Sequence, residues 1–563
     1  MRTIAAALAV VCFTSSPVES QAPATPAQPQ RPAGIIHGRV VLPNGRPAQR
    51  ARVSATAPPG GFPRTAITNR DGVYEIDGIA PGEYRVSAGK PGYVVVDFGQ
   101  RRAFERGKLV PVKGGETTDG VDITLQPSGA VSGRVVDENG DPVEGIQVRL
   151  LRTIFLAGRR QLFPVGDVGA RNTNDQGRYR LYGVPPGQYA IVASLSDRPG
   201  DPGNVLLPPG YQATYFPGRL RPAEARFVTI DLGEEIDNAD ITLGRGSGAT
   251  IRGTVVDSQG KPAAAGIVVG TSQRSGGVGA EPTLVHSSSD GTFEVRDLPP
   301  GEYVLQVNKG GGPGDVNLGR EPQFAARFVS VADADVDGVN IRLSAGSRVD
   351  GRIVFEGGDV RDFKSVTIDT MPADFDLASM IGPSARATAR ADGTFTIEGL
   401  NGPRRFHLMH APDGWSLKSI RTNGRDITDE ALTFGTADDS LTDVEVVLTN
   451  RPASIAGNVA DAQGRSVDDY TAIVFATARD RWYPQSRYAA FRRPNADGAF
   501  TVPNLPPGEY YVAAVDRLQA GTNGDPYGDM QDPSFLESLV PRATRIALTE
   551  GQAATVALRV IVR

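Results

Sequence analysis

One short phrase is repeated five times along this chain, each return roughly a hundred residues after the last. Its first copy reads Asp71-Gly72-Val73-Tyr74-Glu75-Ile76, then Ile79-Ala80-Pro81-Gly82-Glu83-Tyr84. The second has Asp175-Gln176-Gly177-Arg178-Tyr179 with Val184-Pro185-Pro186-Gly187-Gln188-Tyr189, and the third Asp290-Gly291-Thr292-Phe293 with Leu298-Pro299-Pro300-Gly301-Glu302-Tyr303. The fourth keeps Asp392-Gly393-Thr394-Phe395 but continues Leu400-Asn401-Gly402-Pro403-Arg404-Arg405-Phe406. The fifth restores the pattern with Asp497-Gly498-Ala499-Phe500 and Leu505-Pro506-Pro507-Gly508-Glu509-Tyr510. A period this long is that of a whole domain, far above a solenoid repeat, so the chain folds as a row of similar, separately cored units.

Each unit reads as strands. It opens on a small-residue strand such as Ile36-His37-Gly38-Arg39-Val40-Val41 or Ile251-Arg252-Gly253-Thr254-Val255-Val256. A turn at Asn44-Gly45, Asn139-Gly140, Gln259-Gly260 or Gln463-Gly464 follows; Asn-Gly tolerates positive φ at both residues, the usual hairpin turn. In the repeated phrase, Tyr74 and Ile76, or Phe500 and Val502, alternate onto one face. Pro-Pro-Gly then turns the chain, with glycine expected at the left-handed position. Alternating strands such as Val121-Asp122-Ile123-Thr124-Leu125 close each unit. Short strands with frequent turns and almost no helical period predict an all-β fold: a tandem array of five antiparallel β-sandwich domains. The expected bounds are 34–127, 128–245, 246–345, 346–450 and 451–563. The recurring Tyr84, Tyr189, Tyr303 and Tyr510 read as core rings whose hydroxyls close a local hydrogen bond.

Residues 1–20 have the form of an export signal: Arg2, an apolar run from Ile4 to Phe13, and small residues up to Ser20. The only cysteine, Cys12, lies inside it, so the mature units hold no disulfide. Residues 21–33 form a Pro/Gln/Ala spacer. The chain is therefore expected to be exported, to the periplasm, the cell surface or the medium, with no transmembrane segment in the mature chain. A net charge of −5 spread along the chain argues against nucleic acid as a partner.

The opening Gly-Arg-Val-Val, the Asp-Gly-x-Phe/Tyr turn and the Leu-Pro-Pro-Gly-Glu-Tyr turn together resemble the carboxypeptidase regulatory-like domain. That resemblance implies a transthyretin-like (prealbumin-like) β-sandwich of the carbohydrate-binding-like fold group, and carbohydrate as the first ligand to test. The fourth copy departs from it at Asn401–Phe406. The chain also resembles collagen-adhesin B-type repeats. Their isopeptide crosslink needs a lysine in the opening strand and a glutamate after the Glu-Tyr phrase, and both are missing here.

Catalytic patterns are missing too. Zinc peptidases need a His-x-x-Glu pair and a distant histidine, yet none of His37, His286, His407 and His410 is followed by glutamate three residues on. There is no Gly-x-Ser-x-Gly elbow, and Ser275-Gly276-Gly277 and Gly310-Gly311-Gly312 lack the Lys-Ser/Thr of a phosphate cradle. Asp137-Glu138-Asn139-Gly140-Asp141 starts like a calcium loop, but Pro142 stands where that loop needs glycine. The reading is a protein that is not an enzyme, with no cofactor and no metal site. Its candidate ligand residues are Arg481, Trp482, Tyr483, Tyr488 and Phe491 in the fifth unit and Tyr211 and Tyr215 in the second. Exposed, those rings would stack on a polysaccharide; buried, they end a core strand or cap a sandwich edge, and the alternative is contact with a cell-envelope protein or a peptidase-associated accessory role without sugar binding.

Overall fold

The structure is a computed structural model. It describes residues 33–57, 62–105, 107–156, 159–166, 168–169, 172–194, 211–246, 248–272, 282–310, 323–332, 334–358, 362–378, 385–495, 497–518 and 532–562. The export signal, Cys12, the spacer apart from its last residue, and the glycine loops at 275–277 and 311–312 lie outside the described residues.

The same ladder is built five times. The opening strands are Gly34–Val41, Gly129–Val136, Ala249–Val256, Ser347–Glu356 and Ala453–Ala460. They pair antiparallel with the strands of the repeated phrase: Val73–Ile79, Arg178–Val184, Thr292–Leu298, Thr394–Leu400 and Ala499–Leu505. On its other side each opening strand pairs parallel with the closing strand, as Ala453–Ala460 does with Ala553–Ile561. Each sandwich thus carries parallel pairing on its opening strand among antiparallel ladders, because the chain crosses to the second sheet and returns before closing the first; in the fifth unit the closing strand also pairs parallel with Gly508–Val515.

Steric fit explains the glycine of the opening strand. A Cβ on Gly38 would stand 2.1 Å from Val121 O, and one on Gly253 would stand 2.0 Å from Val339 O. At Gly133, Gly351 and Gly457 the same clash falls at 2.4, 2.4 and 2.2 Å from the oxygens of Ala239, Val444 and Val556. Aromatic rings close over the gap: Phe500 would lie 2.9 Å from a Cβ at Gly457. In the first two units the ring is a tyrosine whose hydroxyl takes up the facing carbonyl, Tyr74 to Val121 O at 2.7 Å and Tyr179 to Ala239 O at 2.5 Å.

Two turn expectations are corrected. At Asn44-Gly45 and its counterparts only the glycine takes positive φ, +77° at Gly45 and +80° at Gly464. Leu42 N donates to Arg46 O, the pattern of a three-residue hairpin loop that places only its last residue in the left-handed region. Nor does the glycine of Pro-Pro-Gly supply the left-handed position: Gly82 and Gly508, at φ 158° and 156°, are near-extended, and Gly187 and Gly301 have negative φ. The left-handed residues are Gly78, Gly183, Asp297, Gly399 and Asn504, one before the apolar residue that precedes the turn. They sit opposite a register shift at the start of every opening strand, a β-bulge repeated five times.

The tyrosine expectation holds. The hydroxyls of Tyr84, Tyr189, Tyr303 and Tyr510 donate to the carbonyls of Ala80, Pro185, Pro299 and Pro506, four residues back, at 2.5 to 3.0 Å. In the fourth unit the turn is one residue shorter, and Arg404 rather than Phe406 takes the tyrosine's place. Buried among the strands, Arg404 donates through Nε to Asn401 O at 2.8 Å and through Nη1 to Thr370 O at 3.0 Å. Burial lowers its guanidinium pKa to about 10.

Five large hydrophobic cores follow one another along the described residues, centred on Val53, Ile191, Leu305, Phe395 and Tyr510. A further core lies on the outer face of the fifth unit, where helix Pro533–Leu539 covers strand Thr471–Ala476 and leaves that strand buried on both faces. The second sheets end on strands Leu109–Val112, Val228–Ile230, Leu432–Phe434 and Thr544–Leu548 in units one, two, four and five. The third unit instead has Gln323–Val331, nine residues paired along their whole length with Gly301–Lys309. On its other side Phe324 bridges Ser344. The last unit also touches the first two: Arg160 Nη2 lies 2.7 Å from Asp532 Oδ2, and Arg102 Nη1 donates to Asp516 O at 2.7 Å.

Candidate functional site

Trp482 follows the 3-10 turn Arg479–Arg481 and is 7% exposed. Its Nε1 donates to Ala476 O at 2.7 Å, and its ring stands edge-on to Phe475 at 5.4 Å. The covering helix brings Phe535, Leu536 and Leu539 into the same cluster, so the indole packs in the outer core. Phe491, on strand Ala489–Arg492, packs against the same core. Tyr488 belongs to the main core of the unit and stacks on Tyr510, with centroids 6.4 Å apart.

Arg481, Tyr483 and Tyr488 converge instead on Asp429, a residue of the fourth unit. Arg487 grips the Asp429 carboxylate with both arms, Nε to Oδ1 at 2.9 Å and Nη2 to Oδ2 at 3.0 Å. Arg481 Nη1 adds 3.0 Å to Oδ2, and the Tyr488 and Tyr483 hydroxyls donate at 2.9 and 3.1 Å. Arg487 also donates to Leu417 O at 3.1 Å, tying strand Ser416–Thr422 of the fourth unit to the fifth. The Arg481 guanidinium lies 4.0 Å from the centroid of Tyr488. Burial alone would push the Asp429 carboxyl up. The hydrogen bonds and charge of Arg487, with Tyr488 and Arg481, outweigh it and hold the carboxyl below the usual range. Burial, then the Asp429 carboxylate, pushes the Tyr483 hydroxyl up to about 12, so it stays a donor.

In the second unit Tyr211 and Tyr215 are both buried. The Tyr211 hydroxyl donates to Glu138 Oε2 at 2.5 Å, and Arg245 lies 4.7 Å over its ring while pairing with Glu138 at 2.9 Å. Tyr215 packs with Leu151, Leu162 and Val192 on the outer face of its sheet. Nearby, Asp137 Oδ1 accepts the backbone N–H groups of Asn139 and Asp141 at 2.8 and 2.9 Å, a local turn. Of the sequence-predicted residues, then, Trp482, Tyr488, Tyr211 and Tyr215 are buried, Phe491 is half-buried, and Arg481, Tyr483 and Tyr488 serve a junction between units. No stacked, open aromatic face is formed by them.

Beside the Asp429 cluster lies a cleft of about 380 Å³ between strand Gly402–His410 and residues 483–487. Arg405, His407, Trp415, Asp429, Tyr483 and Gln485 are among its walls. The Arg405 guanidinium lies over the Tyr483 ring, 4.3 Å from its centroid, and its Nε donates to Asp429 O at 3.3 Å. Burial pushes the His407 imidazole down, opposed by Asp369, so it is neutral at pH 7. Sequence reasoning missed Asp429, Arg405 and Arg487. Nothing in Thr428-Asp429-Glu430 marks the carboxylate, but the five arginines between residues 479 and 493 signal an acidic counterpart elsewhere.

These features define a class: tandem all-β modules whose charged and aromatic side chains fasten units to one another. The family model of the carboxypeptidase regulatory-like domain matches residues 35–126, 130–214 and 250–344. The first three units of the chain are thus carboxypeptidase regulatory-like domains, of the transthyretin-like β-sandwich type. No curated protein matches the chain in sequence. Among solved structures, a streptococcal ancillary pilin is similar at 15% identity over 55% of this chain and 99% of its own, with a TM-score of 0.18. The Bacillus anthracis TIE protein is similar at 10% identity, 77% and 73% coverage and a TM-score of 0.16. BcpA, the major pilin subunit of Bacillus cereus, is similar at 13% identity, 55% and 99% coverage and a TM-score of 0.14. At such scores these likenesses carry no argument about this chain. Among the described residues no helix is long and apolar enough to cross a membrane, which says nothing of a β-barrel.

Proposed function

We propose that this chain is an exported, non-catalytic scaffold of five domains, with bounds at 34–127, 128–245, 246–345, 346–450 and 451–563. It works in the periplasm, at the cell surface or outside the cell by accepting an extended segment of a partner protein. One observation carries this reading: the nine-residue edge Gln323–Val331. Natural sheets keep edges short or covered, because a long free edge is a template for another strand. The other four units keep this strand at three to five residues, and the third runs it to nine. Backbone hydrogen bonds would supply affinity and the alternating side chains selectivity. The test places a photo-crosslinking side chain at the exposed Arg327 in the producing cell. Protein adducts at that position are expected. Their absence, together with saturable binding of the chain to an envelope polysaccharide, would replace this reading.

Carbohydrate binding is the second reading, and half-buried Tyr483 on the cleft wall favours it. Screening the mature chain against polysaccharides and peptidoglycan tests it. Binding lost on Tyr483→Ala but kept in Arg327 variants supports the sugar; no binding to any glycan removes it.

A further inference from the structure

The cleft beside Asp429 offers chemistry that the edge strand does not use. Its one deep carboxylate is already spent on Arg481 and Arg487 and on two tyrosine hydroxyls. Arg405 stands over Tyr483 and is anchored through Nε, and among the described residues neither Nη group has a hydrogen-bond partner. A planar guanidinium fixed in this way is pre-organised for a two-pronged bond to a carboxylate. His407, neutral and with no hydrogen-bond partner among the described residues, adds one donor and one acceptor on the same strand. Pro412, Trp415 and Leu417 border the same cleft, and about 380 Å³ is room for a small ring-bearing molecule.

We propose that this cleft is a binding site for a small ring-bearing carboxylate, whose acid group sits on Arg405 and whose ring lies against the Trp415 side. The acid stands on Arg405 because Asp429 is neutralised, so the nearby field does not repel an anion. Exposed Asp413 at the rim is the opposing charge. Two sources share this chemistry, a sugar acid and an aromatic acid. The proposal is independent of the edge strand: its failure leaves Arg327 crosslinking unchanged.

The experiment is calorimetric titration of the mature chain with galacturonate, benzoate and, as the uncharged control, galactose. Saturable binding of one acid and none of galactose is expected, and which acid binds identifies the source. Arg405→Gln is expected to weaken it at least about tenfold, one charge-assisted contact. Arg405→Lys, which keeps the charge but loses the fork, should fall between. Tryptophan emission checks that both variants are folded. Should Gln disturb folding, the Lys variant alone decides. No binding of either acid, binding of galactose equal to galacturonate, or affinity unchanged in the folded variants would overturn the proposal.

Discussion

Removing the Asp429 carboxylate is the sharpest test of how the last two units are joined. In Asp429→Ala, Arg487 and Arg481 lose their counter-ion, and two tyrosine hydroxyls lose their acceptor. The pair is sheltered, with side chains 22% exposed at Asp429 and 21% at Arg487. Breaking a fully buried pair costs about 3–5 kcal/mol, and partial exposure lowers that to about 2–4 here. Asp429→Asn, which keeps the shape and one acceptor, should cost about half as much. A cycle with Arg487→Met should return a coupling of about 1–3 kcal/mol. The reporter is built in, since the two tryptophans, Trp415 and Trp482, lie in the two units that meet at Asp429. Urea unfolding followed by their emission therefore reads the right part of the chain. The sign with pH follows from the depressed carboxyl. Its contribution is complete above the unfolded value of about 3.9 and is lost as the pH falls through the lower folded value. The loss on Asp429→Ala should be constant between roughly pH 5 and 8. A change under about 0.5 kcal/mol at neutral pH, the level of an exposed pair, would refute the reasoning.

Gly457→Val should cost about 3 kcal/mol or more, because the added Cβ meets Val556 O at 2.2 Å and the Phe500 ring at 2.9 Å; Trp482 emission under urea measures it. Tyr510→Phe removes only the bond to Pro506 O and should cost about 1 kcal/mol in the same assay. Trp482→Ala empties a packed corner and should cost about 3–5 kcal/mol, read by circular dichroism since the reporter itself is lost.

The all-β fold was legible because the phrase carries its own physics. Asp-Gly turns, alternating apolar pairs and a tyrosine four residues after a carbonyl each dictate local structure that needs no distant partner. The bulge was legible too, though less plainly: the positions of Gly78, Gly183, Asp297, Gly399 and Asn504 hold only residue types that tolerate positive φ. Arg404 was hidden because one deleted turn residue shifts the register, and aligning by aromatics points to Phe406 instead. Helix Pro533–Leu539, at seven residues, is too short to show a period. The candidate site stayed open between exposed and buried rings for a different reason. Arginines and rings clustered in sequence look alike whether they face water or a partner carboxylate, and Asp429 lies 58 residues from Arg487. Only the packing of one unit on the next decides between the two.

Acrylamide quenching of intrinsic fluorescence tests that decision most directly, because both tryptophans of the chain are under 10% exposed in the fold. The account predicts that Trp415 and Trp482 are shielded in the native protein and quenched freely only after unfolding. Native emission quenched as readily as that of the urea-unfolded chain would mean an open indole face in place of the packed one, and the account would be contradicted.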